Sequence, residues 1–263
     1  MDNLVIGSTS QLSYYFPDDY IKIPSRNINY DSLLSKKWDR VFICLGESRK
    51  FIDNIELYDD INFHLTLDII EKFKNISNKI IVYSTCELWN QYDGSVSLSM
   101  DYDFYSTPYI QSKYKLTKLI IDNQENYHNV IILYPFNFNS IIRDNNFLFG
   151  KIFNSIINKT KIEIGDTYFY RDLIHPIHVV NESINSTSHR LVGSGRLTFV
   201  NDFIRDLYKH YGLSYESLVV EHKDKFNEYE RRKEYYLKSE FNQYDYSQLL
   251  KDTINDINIK IKK

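Results

Sequence analysis

Pro108-Tyr109-Ile110-Gln111-Ser112-Lys113 is the stretch on which the reading of this chain turns. Tyr109 and Lys113 are four residues apart, one turn of an α-helix, so the ammonium can reach the phenol on the same face. A phenol titrates at about pH 10 and is a poor base in neutral water, but a neighbouring cation stabilises the phenolate and brings it toward the working range. The pair is an acid/base device. In a chain with 23 tyrosines the same spacing also arises as an ordinary exposed helix face, so the surroundings decide.

One strand earlier stands Ile80-Ile81-Val82-Tyr83-Ser84-Thr85-Cys86-Glu87, an apolar run that ends in hydroxyls. Open α/β sheets place their sites at the carboxyl ends of parallel strands, where Ser84 or Thr85 can hold a reacting oxygen while Tyr109 exchanges its proton. Around this core, short β-branched runs alternate with helix-period segments. Strands are expected at residues 4–6, 20–23, 40–45, 79–83 and 129–133, with helices at 62–73 and 112–125. That alternation builds a parallel sheet covered by helices on both faces. After Pro135 the pattern changes to an Asn- and Phe-rich loop, a helix at 147–157, and strands at 161–164 and 172–174. Val192-Gly193-Ser194-Gly195 then leads into a strand and a helix, with Asn201 or Asp202 as its expected N-cap. The expected organisation is therefore an α/β chain. Residues 1–135 form a Rossmann-type, doubly wound dinucleotide-binding domain, and 136–263 form a smaller substrate-binding lobe interleaved with it.

With 263 residues and 43% hydrophobic content, the chain can bury one large core and a lesser one. The net charge of −3, with Lys and Arg scattered among Asp and Glu, supplies no field to gather nucleic acid. Two cysteines, Cys44 and Cys86, make no disulfide framework. There is neither a signal-peptide pattern nor an apolar run of membrane-spanning length, so the expected setting is the cytoplasm. His175-Pro176-Ile177-His178, with Glu182 beyond, could suggest a metal site, but Pro176 and the lack of further ligand pairs favour a polar, exposed helix start.

In these residues the chain resembles the extended short-chain dehydrogenase/reductases, the family of nucleotide-sugar epimerases, dehydratases and 4-ketoreductases. The resemblance runs from Leu4 to about Leu207. It implies Tyr109 as general acid/base, Lys113 lowering its pKa and contacting the cofactor ribose, and Thr85 holding the sugar oxygen, with Ser84, Cys86 and Glu87 lining the substrate side. Leu133-Tyr134-Pro135-Phe136-Asn137 is similar to the segment whose Asn touches substrate, which gives Asn137 that role. Tyr170-Arg171-Asp172-Leu173-Ile174-His175 is similar to the segment whose Arg meets the nucleotide diphosphate. Arg171 also suits a bidentate phosphate contact on physical grounds. On the cofactor side the resemblance implies Gly7, Thr9, Ser10, Gln11, Leu12, Leu45, Gly46 and Tyr134, with Asn62 in a structural or cofactor-side role, and a homodimer through the helices near 60–75 and 108–125.

The departures are informative. The phosphate loop reads Gly7-Ser8-Thr9-Ser10-Gln11-Leu12-Ser13 where the family has three glycines, and its helix has room for only about two turns before Pro17. No carboxylate closes the second strand. Arg26 follows instead, which suits the 2′-phosphate of NADP better than the free ribose of NAD. Cys86 stands where dehydratases carry an aspartic acid, and a thiol is a poor proton donor to a leaving hydroxyl. These features point to an NADP-dependent reductase of a 4-keto-6-deoxy sugar nucleotide, in deoxysugar precursor synthesis, with NAD as the alternative cofactor. A nucleotide-sugar 4-epimerase is the alternative activity, and a non-catalytic dinucleotide sensor or scaffold the alternative of another class. An RNA-binding relative is a third, which the acidic balance disfavours.

Overall fold

A computed structural model describes residues 1–49, 54–222, 234–238 and 244–262. The chain divides into two compact units. The first comprises Met1–Leu88, Tyr102–Pro135 and Val179–Val192, and the second Trp89–Asp101, Phe136–His178 and Gly193–Lys263.

The first unit is built on a six-stranded sheet of β1 (Asp2–Ile6), β2 (Ile21–Ile23), β3 (Trp38–Ile43), β4 (Ser77–Tyr83), β5 (Val130–Pro135) and β6 (Arg190–Val192). Every pairing is parallel, in the spatial order β2-β1-β3-β4-β5-β6. The inner strands lie between two covering layers, which is why they read as unbroken apolar runs. Leu4 to Ile6, Val41 to Ile43, Ile80 to Val82 and Val130 to Leu133 are all buried. The edge strand β2 is only half-buried.

The order of the strands reverses at β1, and the crevice at such a switch point is where open α/β sheets bind ligands. Gly7 leaves β1 there with φ +103°, and a Cβ on it would stand 2.7 Å from the Cys44 carbonyl oxygen. No side chain is tolerated at Gly7.

Several elements start elsewhere than the pattern predicts, β1 and β4 each two residues early. The helix expected from 62 begins at Glu56 and runs unbroken through Glu56–Asp59, a π-helical stretch Asp60–Leu65, and Thr66–Phe73. Aspartates conceal its first turns from a propensity reading, although acids are favourable at a helix N-terminus. The helix expected from 112 is Pro108–Asp122. Thr107 caps it by accepting from the Ile110 N–H at 3.2 Å, and Pro108 occupies a position that needs no N–H partner. Strand β3 begins at Trp38, whose indole N–H donates to the Leu33 carbonyl at 3.0 Å, and ends before Cys44. After β1, the short helix expected before Pro17 is reduced to a three-residue 3-10 turn, Ser13–Tyr15.

Among the described residues the second unit contains four two-stranded ribbons. Asn137–Phe138 pairs parallel with Leu173–Ile174, and Tyr170–Arg171 antiparallel with Thr198–Phe199. Ile162–Gly165 pairs parallel with Val219–His222, and Gly94–Val96 parallel with Tyr235–Leu237. Its helices include Leu148–Asn158, Val200–His210 and Tyr246–Ile261.

Neither expected N-cap serves the helix Val200–His210. Its N-cap position is Phe199, two residues before Asn201, whose Oδ1 accepts from Arg205 Nε at 2.8 Å while its Nδ2 donates to Thr167 (2.6 Å) and Glu221 (3.0 Å). His175 is not an exposed helix start. It is 2% exposed, its Nδ1 accepts from the Ile177 N–H, and its Nε2 meets Asp256 at 2.9 Å. Among the described residues no helix is long and apolar enough to cross a membrane.

Candidate active site

Tyr109 is the second residue of its helix. It is half-buried, with its ring 6.3 Å from the ring of Tyr58 at an interplanar angle of 62°. Lys113, one turn on, is 6% exposed, and its ammonium donates to the Tyr83 carbonyl at 2.9 Å. Burial pushes its pKa down to about 8, because the charge has left water and no carboxylate pairs with it among the described residues. Ser84 and Thr85 follow the same carbonyl at the end of β4. The Ser84 hydroxyl shares a 2.8 Å hydrogen bond with Thr117, and the Thr85 hydroxyl accepts from the Glu87 N–H at 3.2 Å. Cys86 and Glu87 open a buried 3-10 turn, Cys86–Trp89.

Asn62 joins three segments of this unit. Its Oδ1 accepts from the Glu47 N–H at 2.8 Å, while its Nδ2 donates to the Glu47 carbonyl and to the Ser112 hydroxyl, both at 3.0 Å. Ser112 in turn donates to the Tyr109 carbonyl at 2.7 Å. One acceptor and two donors are thus spent on the loop after β3 and on the helix of Tyr109. The amide acts as a staple, and the π-helical stretch is the backbone that carries it. Glu47 itself is buried, and hydrogen bonds from Arg49 hold its carboxyl below the usual range. Tyr58 donates to the Arg49 carbonyl. Neither Glu47 nor Tyr58 stood out in the sequence. The only trace was an acid two residues before an arginine.

At the switch point the N–H groups of Gly7 and Ser8 both donate to the Ile23 carbonyl, and that of Ser10 returns to Gly7 at 2.8 Å. The N–H groups of Thr9, Gln11 and Leu12 make no hydrogen bond among the described residues. Unpaired backbone donors at the carboxyl end of β1 fit an anionic group such as a pyrophosphate. Leu45 and Gly46 follow β3. A Cβ on Gly46 would lie 3.2 Å from both Lys113 Nζ and Asn62 Oδ1, so this loop rides directly over the lysine. Arg26 is exposed in the bend after β2. Tyr134 is fully buried, its hydroxyl 3.1 Å from that of Tyr102, and burial raises its pKa far above the usual phenol range.

The second unit holds Asn137, half-buried in its ribbon, and Arg171. The Arg171 guanidinium stacks 4.5 Å above the Phe169 ring and donates to the Tyr170 carbonyl at 2.7 Å. Asp172 beside it is fully buried. It accepts from the Ser194 N–H and hydroxyl, both at 2.7 Å, from Leu237 N at 3.0 Å and from Gly195 N at 3.1 Å. Burial raises its pKa, and those donors oppose the rise. Of the sequence-selected residues, Tyr109, Lys113, Ser84, Thr85, Asn62 and Gly46 therefore gather within one unit, and Asn137 and Arg171 belong to the other.

No family model matches the sequence, and no curated protein matches it. The fold is nevertheless shared along nearly its whole length with solved nucleotide-sugar enzymes. One is a UDP-N-acetylglucosamine 4-epimerase from Methanobrevibacter ruminantium, at 15% identity and TM-score 0.80, covering 98% of each chain. Another is a dTDP-glucose 4,6-dehydratase from Streptomyces venezuelae with NAD bound, at 15% identity and TM-score 0.77, covering 98% of this chain and 97% of that one. A third is RMD from Pseudomonas aeruginosa complexed with NADPH, at 14% identity and TM-score 0.77, covering 98% and 100%. The likeness establishes a Rossmann-type α/β fold shared with these solved structures.

Proposed function

We propose that this chain is an extended short-chain dehydrogenase/reductase that reduces a 4-keto-6-deoxy sugar nucleotide with NADPH. The observation that carries the reading is the pairing of a half-buried Tyr109 with Lys113, one turn away, whose ammonium is buried at the end of β4 with no carboxylate partner among the described residues. A fold alone has no need of a phenol and a desolvated amine in that arrangement.

A bound nicotinamide dinucleotide would supply the hydride. Thr9, Gln11 and Leu12 offer it three N–H donors, Lys113 would contact its ribose, and Arg26 favours a 2′-phosphate. Thr85 would hold the sugar carbonyl oxygen, and Tyr109 would give that oxygen its proton as the carbon is reduced. Lys113 favours the resulting phenolate until solvent returns the proton. In the second unit, Arg171 suits the diphosphate of the substrate and Asn137 a sugar hydroxyl.

Epimerisation at C4 is the second reading, favoured by the shared fold with a UDP-N-acetylglucosamine 4-epimerase. The two separate by experiment. The purified protein is incubated with NADPH and a panel of 4-keto-6-deoxy sugar nucleotides, and separately with fully hydroxylated ones. Stoichiometric loss of NADPH with formation of the 6-deoxy alcohol supports the reductase. Interconversion of C4 epimers without net cofactor change assigns the epimerase, and failure to bind either dinucleotide refutes both.

A further inference from the structure

We propose that Ser13 is the positioning residue of the dinucleotide loop, its hydroxyl holding in place a backbone that in a longer unit would be held by the first helix. The inference rests on the reading that this loop takes a dinucleotide. Its structural basis is a connected set of hydrogen bonds, beside which the buried Cys44 thiol also meets both serine hydroxyls. Ser13 Oγ donates to the Gly7 carbonyl at 2.6 Å, lies 2.9 Å from Ser10 Oγ, and the Ser13 N–H donates to Ser10 Oγ at 3.2 Å.

A hydroxyl carries one proton, and that of Ser13 goes to Gly7. Ser10 must then be the donor in the contact between the two hydroxyls. Its N–H is also spent, on the Gly7 carbonyl at 2.8 Å. Ser10 therefore has no donor left for a phosphate, and its role lies inside the loop. The Gly7 carbonyl accepts two bonds, its full capacity.

What remains unpaired among the described residues is the set of N–H groups on Thr9, Gln11 and Leu12, which belong to the segment that the two serines brace. In a helix these donors would be aligned by the i→i−4 ladder behind them. Here only the three-residue turn Ser13–Tyr15 follows, without a side-chain cap, and Ser13 is 1% exposed. The serine pair is the local constraint that takes over the ladder's task.

Calorimetric titration of the full chain with NADPH, NADH, ADP and adenosine tests the proposal, using Ser13→Ala, Ser10→Ala and the double variant. Ser13→Ala is expected to bind both dinucleotides and ADP about tenfold more weakly, the order of one lost hydrogen bond, with adenosine unaffected. Because the two hydroxyls act as one unit, the double variant should lose less than the sum of the two single losses. Undiminished ADP affinity in Ser13→Ala overturns the inference and leaves the proposed function standing, as do additive losses in the double variant. An equal loss for adenosine, together with a lower melting temperature, would make the serine merely structural and also overturns it. If the unaltered protein binds no dinucleotide, the proposed function falls and this inference with it.

Discussion

The Lys113 ammonium donates to the carbonyl oxygen of Tyr83 at 2.9 Å, so a buried cation is met by a backbone dipole where an ion pair would be expected. Its pKa falls from 10.5 to about 8 by desolvation. Below pH 8 both folded and unfolded chains hold the proton, and burial of the charge costs about 3 kcal/mol. Between about pH 8 and 10.5 only the unfolded chain still binds it, so this cost is relieved as pH rises. Cys44 acts the other way. Burial raises its thiol from 9.0 to about 12, so its contribution is lost as pH rises through that interval. The effect of Lys113 is therefore read as a difference between proteins. Lys113→Met should be the more stable to urea at pH 7, and the gap should close by about pH 10.5. A gap that does not change with pH would show that the lysine is not buried as a charge.

The parts of this site that were legible in the sequence are those with a fixed period. Tyr109 and Lys113 could be paired because four residues make a helical turn, and the inner strands could be found because burial on both faces leaves no polar alternation. The Asn62 staple has no such period, since it ties a side chain to the backbone of Glu47 fifteen residues away. The shortness of the first helix was visible from Pro17, but its reduction to a 3-10 turn held by Ser10 and Ser13 depends on hydroxyl geometry. Asn201 read as an N-cap because asparagine favours that position, but its Oδ1 is taken by Arg205 of the same helix and its Nδ2 by Thr167 and Glu221 of distant segments. Asp172 carries no sequence signal beyond standing next to Arg171, and only the fold brings four donors around it.

Asn62→Ala should destabilise the protein by about 2–4 kcal/mol, because it leaves the Glu47 N–H and carbonyl and the Ser112 hydroxyl without their partner in a buried setting. Urea denaturation measures this. If stability holds while cofactor affinity collapses, Asn62 is a cofactor ligand and not a staple.

Arg171→Ala should weaken binding of sugar nucleotides by about 1.5–3 kcal/mol and leave dinucleotide affinity nearly intact, as expected for loss of a charge-assisted contact to a diphosphate. Phe169→Leu removes the ring beneath the guanidinium and should produce a smaller loss in the same direction. Unchanged affinity for every sugar nucleotide tried would make Arg171 a structural residue.

NADPH should bind more tightly than NADH, because Arg26 is exposed just beyond β2 and no carboxylate there competes for the ribose. Calorimetry of Arg26→Ala supplies the control, since the substitution should erase the preference without weakening NADH. Equal affinities in the unaltered protein would remove the cofactor argument for a reductase and favour the epimerase.

Tyr109→Phe is the sharpest test of the chemistry. The ring stays, and with it the contact to Tyr58, so packing and volume are preserved. The phenolic proton goes. If that proton is the one delivered to the sugar oxygen, turnover should fall by about 10²- to 10⁴-fold, the usual loss on removing a general acid/base, while dinucleotide affinity and melting temperature stay near those of the unaltered protein. Lys113→Met should also slow turnover, but it should weaken dinucleotide binding as well, because the lysine is assigned a contact to the ribose. The two substitutions thus separate proton transfer from cofactor holding. Rates should be compared across pH, because a phenol that works only with its lysine charged loses its support as Lys113 deprotonates near pH 8. Full activity in Tyr109→Phe on an identified substrate would refute the mechanism while leaving the fold untouched. The helical pairing of Tyr109 and Lys113 would then be inherited architecture without present chemical use.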